Sequence, residues 1–163
     1  MKTVTTVSLD LTETIDAAKP RLLSMTESRA SDKPYPDKWS IKEILGHLVD
    51  SASNNHQRIV RMQEVENIGT FSYAQVHWVN SQRYRSEPWT DLVNGWYYFN
   101  KHLAHVIGHV DPKSLTNLCD MDYGEPKTLQ FVIEDYVIHM RHHLDQIFSD
   151  GDPRERVKWM GGE

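Results

Sequence analysis

Leu92, Trp96, Phe99, Leu103, Val106 and Val110 are separated by alternating steps of four and three residues. That alternation keeps six apolar side chains on one narrow stripe of an α-helix, which is the seam pattern of a bundle helix. A chain with such a seam must supply partner helices, and the rest of the sequence does. Ile41, Ile44, Leu45, Leu48, Ala52 and Ile59 repeat at helical spacing behind Ser40 and Glu43. Those two form a capping box, in which hydroxyl and carboxylate each satisfy an orphan backbone donor, and Trp39 and Ile44 have the spacing of a hydrophobic staple. A helix is therefore expected from Ser40 to Glu66. Thr128 can cap another in which Leu129, Val132, Ile133, Tyr136, Val137, Met140, Leu144 and Ile147 face a core, stopping at the SDGDP segment. The seam helix itself is expected to begin near Pro88 and stop at Asp111-Pro112. A first helix is expected over Leu11 to Ser28, with Pro20, which lacks an amide hydrogen, kinking it or marking its start.

Turn-rich SDKPYPD joins the first two helices, and Asn67 to Ser86 forms a longer connection of mixed aromatic and polar residues. Connections of that length are often functional, and this one, with His77, Trp78 and Asn80, is expected near the mouth of a pocket. Nothing alternates in the manner of a strand. The expected fold is all-α, one domain over residues 1–163, a four-helix bundle whose long middle connection allows a crossover. No apolar run approaches the roughly 20 residues of a bilayer span, so no membrane association is expected. The N-terminus has no apolar block before Asp10, which does not match a signal peptide, and the single cysteine, Cys119, excludes an internal disulfide. A cytoplasmic location is the expectation. Asp120 and Asp122 beside Cys119 disfavour a thiolate there. A net charge of −5 without any Lys/Arg cluster argues against nucleic-acid binding.

Nine histidines remain to be sorted. Histidines four apart on a helix stand one above the other and can converge on one ion, with a third from a neighbouring helix leaving a coordination position open. At roughly 100° per residue, His102, His105 and His109 fall about 60° to 120° off their helix's seam, which places them on a flank. His143 falls about 50° and His139 about 90° from the centre of the last helix's stripe, on the same side, whereas His142 falls about 150° away. His139 and His143 can therefore look into the bundle together. His47 lies about 120° from its helix's apolar face, in a polar column with Ser51, Asn54 and Arg58. Such a column is either solvated surface or the lining of a wet cavity.

The segments KWSIKEILGHLVD and YVIHMRHHLDQI resemble the DinB/YfiT-like superfamily of four-helix bundle proteins, with a W-S-x-x-E-x-x-x-H-L-x-D opening and a late H-x-x-x-H-H. The spacing between them suits the chain from residue 10 to residue 150. The resemblance implies a crossover bundle, often a homodimer, holding a divalent metal such as zinc or nickel through His47, His139 and His143. It also implies a small-molecule substrate, with metal-dependent thiol transferases, a thiol-using isomerase and presumed hydrolases among its members. A ligating imidazole commonly donates its other N–H to a carboxylate or carbonyl, for which Asp50 and Asp135 are within a helical turn.

Three functions follow. In the leading one, a low-molecular-weight thiol serves as co-substrate and is activated for attack on an electrophile, with Asn54 or Arg58 anchoring an anionic part of the substrate. In the second, water is activated for hydrolysis, with Asp50 as base. The third is a non-enzymatic metal- or ligand-binding dimer, for which Trp78, Tyr84 and Trp89 are candidate interface aromatics, unless they simply cover the core.

Overall fold

The hydroxyl of Thr3 accepts from the amide of Thr6 and so opens the first helix at Val4, seven positions before Leu11. In this computed structural model, which describes residues 1–122 and 124–149, α1 spans Val4–Leu23 and buries Val7, Leu11, Ile15, Ala18 and Leu22. Pro20 does not start it. It sits in the last turn, where only one internal hydrogen bond is lost. A short helix, α2 (Glu27–Ser31), follows behind a Thr26 cap.

The Ser40/Glu43 capping box is present with both of its bonds and starts α3, Ile41–Arg61, which ends five residues before the expected Glu66. The connection 67–86 is not structureless: it holds β1 (Asn67–Thr70), α4 (Gln75–Gln82) and a 3-10 turn at Tyr84–Ser86. The seam helix α5 runs Trp89–Gly108, then β2 (Leu118–Asp120) and β3 (Lys127–Thr128) precede α6, Leu129–Phe148, capped by Thr128 as expected. The SDGDP stop lies largely outside the described residues. No strand was expected, yet the three strands form a small sheet ordered β1-β2-β3, parallel then antiparallel. Each has four residues or fewer, too short to leave an alternating pattern in sequence.

α1 packs on α5 and α6, and α3 packs on the same two helices. Helices α1 and α3, and likewise α5 and α6, therefore stand at opposite corners of the four-helix bundle. The middle connection joins neighbours; the steps to the opposite corner are taken by residues 24–40 and 109–128. Tyr84 and Trp89 are buried and cover the core rather than forming an exposed surface. The indole of Trp89 donates to the carbonyl of Leu22, tying the start of α5 to the end of α1. Among the described residues no helix is long and apolar enough to cross a membrane.

Candidate metal centre

His47 comes from α3, and His139 and His143 from consecutive turns of α6. Because α3 and α6 are packed neighbours, the three rings meet: their ligand atoms all lie within 4.8 Å of one another. Nε2 of His139 is 3.4 Å from Nε2 of His47 and 3.1 Å from Nε2 of His143. His47, for which solvated surface and cavity lining were both open readings, is 1% exposed. Burial pushes its imidazole pKa down to about 4 and that of His139 down to about 3; burial also lowers that of His143. All three rings are thus neutral near pH 7, as metal ligands must be.

Do these residues fit a divalent cation? The Nδ1–H of His143 donates to Oε1 of Gln146 at 2.8 Å, which fixes the tautomer and leaves Nε2 as a bare lone pair aimed at the other rings. Nitrogens on a tetrahedral zinc, about 2.0–2.1 Å from the metal, stand about 3.3 Å apart. The two separations from His139 bracket that value, and the remaining one, His47 to His143, lies within 4.8 Å. Where His47 and His139 also present lone pairs at Nε2, a cation between the three nitrogens turns their repulsion into binding. The donor set fits.

Neither carboxylate expected beside a ligating imidazole, Asp50 or Asp135, makes a hydrogen bond to one among the described residues. Asp50 is buried, but its Oδ1 accepts from the Tyr84 hydroxyl and from Nε2 of Gln82, both at 2.6 Å, and its Oδ2 has no partner. Nδ1 of His47 is likewise buried without a partner, beneath the indole of Trp39 at 5.3 Å between centroids. Near His139, the nearest support is Ser51, whose Oγ is 3.5 Å from Nδ1, at the outer limit of a hydrogen bond. Gln146 and Trp39 were thus missed as partners of the rings, and Ser51, placed in the polar column of His47, was not foreseen beside His139. Gln146 was the most legible, since position i+3 from a ligand shares its helix face.

His139 lies in the wall of a cavity of about 600 Å³, with Ser51, Arg58, Tyr73, Asp135 and Tyr136. Asp50 and Asn54 do not line it. Asn54 turns its amide back to the carbonyl of Asp50, and Asn55 takes the place in the column given to Asn54, bonding Ser51 and Arg58. The reason is phase: from Ser51, position 55 lies about 40° round the helix and position 54 about 60° the other way. Arg58 lines the cavity, but its Nε and Nη2 both donate to the carbonyl of Phe71 and its Nη1 to Asn55. Its work is to hold the segment that follows β1 over the cavity. From that segment Ser72 to His77 contribute lining, whereas Trp78 and Asn80 do not. A second cavity of about 780 Å³, lined by Trp39, Gln146 and Ile147, shares the wall residue Val76 with the first.

Other candidates resolve as surface or core. His102, His105 and His109 are exposed on α5, and Cys119 is buried, with its thiol pKa raised chiefly by burial. A family model described as the DinB superfamily matches residues 10–147. The chain belongs to the DinB superfamily. No curated protein matches this DinB superfamily sequence. Among solved structures it is similar to one described as "YfiT from Bacillus subtilis is a probable metal-dependent hydrolase with an unusual four-helix bundle topology". That match has a TM-score of 0.75 and 17% identity, over 88% of this chain and 83% of the other. The likeness concerns the bundle, whose opposite-corner connections were described above.

Proposed function

We propose that this chain is a metal-dependent enzyme that transfers a low-molecular-weight thiol to a small electrophilic substrate, using a divalent cation held by His47, His139 and His143. The observation that carries the reading is the convergence of three neutral imidazoles, two of them on Nε2 within 3.1–3.4 Å of His139, at the wall of a cavity large enough for small reactants. Support for the metal also comes from the description of the Bacillus subtilis protein as a probable metal-dependent hydrolase. A bound zinc or nickel ion would supply Lewis acidity, lowering the pKa of a thiol or a water.

The chain's own residues hold and orient. Gln146 keeps His143 in the ligating tautomer, Trp39 shields His47 from solvent, and Arg58 braces the 71–77 segment across the cavity. Two features favour a thiol over water. Asp50, the carboxylate considered as a base, faces Tyr84 and Gln82 instead of the cavity, and a thiol is acidic enough to need less help from a protein base. Two cavities that share Val76 as a wall residue also offer room for two reactants.

Hydrolysis is the second reading, favoured by Asp135, whose carboxylate is in the cavity wall and could take a proton from water. Metal-loaded protein assayed against electrophiles with and without thiols separates the two. Strict thiol dependence is expected; turnover without thiol would overturn transfer in favour of hydrolysis. Metal analysis of the wild type and of His143→Ala tests the centre itself, with loss of the ion expected in the variant.

A further inference from the structure

The charged side chains of the 600 Å³ cavity are unequally committed. Arg58, the basic residue that sequence reasoning offered as an anchor for an anion, spends its Nε, Nη1 and Nη2 on Phe71 and Asn55. Asp122, at the rim, accepts from the Ser72 hydroxyl. Asp135 is half-buried in the same wall, one turn before His139, and makes no hydrogen bond or ion pair among the described residues. The wall thus carries one guanidinium and two carboxylates, and the carboxylate that has no partner among the described residues, Asp135, stands on the helix that also presents two of the three converging imidazoles.

Resting on the thiol-transfer reading, we propose that the cavity takes an amino-thiol, a ligand whose thiol goes to the cation and whose ammonium pairs with the carboxylate of Asp135. A partly buried carboxylate without a partner is costly, and a cationic ligand removes that cost while forming a charge-assisted hydrogen bond. The preference runs opposite to that of an arginine-anchored site. Burial, the sole cause acting on Asp135, raises its pKa above the ordinary aspartate value, as expected of a carboxylate whose counter-ion arrives with the ligand. Asp135 is then the residue that sets substrate charge.

Three thiols of nearly equal size, cysteamine, 2-mercaptoethanol and mercaptoacetate, test this by calorimetric titration into zinc-loaded protein. Cysteamine is expected to bind about tenfold more tightly than 2-mercaptoethanol, with mercaptoacetate weakest. Asp135→Asn should erase the advantage while zinc content and affinity for 2-mercaptoethanol stay as in the wild type. Asp135→Glu should keep the order of the three. Equal affinities in the wild type, or an advantage that survives Asp135→Asn, would overturn the inference alone. So would an equal weakening of all three thiols in Asp135→Asn, which would assign the carboxylate to the integrity of the centre. Absence of heat from every thiol with zinc retained would overturn the thiol reading as well, so the two failures are distinguishable.

Discussion

Gln146 and Ser51 touch the rings of His143 and His139, and they differ in what they can do for a ligand. The 2.8 Å bond from Nδ1 of His143 to Gln146 decides which nitrogen carries the proton, whereas the 3.5 Å approach of Ser51 to His139 constrains little. Gln146→Ala is therefore expected to lower metal affinity about 10–100-fold with the fold intact, measured by competition with a chromophoric chelator. Ser51→Ala should change it far less. Arg58 gives a different residue-scale test. Removing the guanidinium leaves the half-buried Phe71 carbonyl without two donors, so Arg58→Ala should cost about 2 kcal/mol in denaturant unfolding and make residues 71–77 more open to proteolysis.

At the scale of elements, the contact between α3 and the connection that follows α4 depends on one missing side chain. A Cβ on Gly46 would stand 2.1 Å from Cδ2 of Tyr84, so the ring that holds Asp50 can lie flat on α3 only because position 46 is glycine. Gly46→Ala should destabilise by about 1–3 kcal/mol, exceeding the roughly 1 kcal/mol that alanine gains in a helix. Gly95, exposed on α5 with nothing within 4 Å of its Cβ position, should show the opposite sign, Gly95→Ala stabilising. Thermal unfolding of the two variants side by side checks both. A second joint is Lys42, buried on α3, whose ammonium pairs with Glu27 of α2 and donates to the carbonyls of Arg85 and Glu87 ahead of α5. At about 100° from the middle of the α3 apolar stripe it reads in sequence as a flank lysine, with no hint that three elements would close around it.

For the whole molecule, the buried imidazoles couple stability to pH. The pKa values of His47 and His139 fall from 6.5 in the unfolded chain to about 4 and about 3 in the folded one. Below pH 6.5 the unfolded chain takes up protons that the folded protein refuses, so metal-free stability is full above 6.5 and declines as pH falls toward 4. Urea midpoints of metal-free protein across that range should show the decline, and His139→Gln should flatten it.

The sequence by itself determined the bundle. The 4-3 seam of α5, the Ser40/Glu43 box and the Thr128 cap are local rules, and each is carried by side chains close enough along the chain to leave a period. It also put His139 and His143 on one face of α6, because helical phase is a local quantity. Helix ends were less legible, since tertiary contact decides how far a helix continues: α1 gains its early turns, Val7 among them, by packing on α5 and α6. What only the tertiary structure decided was everything that needs two elements at once. The burial of His47, the turning of Asp50 toward Tyr84 and Gln82, and the isolation of Asp135 all depend on which helix stands beside which. Single-chain periodicity contains no record of that choice, because opposite-corner and adjacent packing of four helices bury the same stripes.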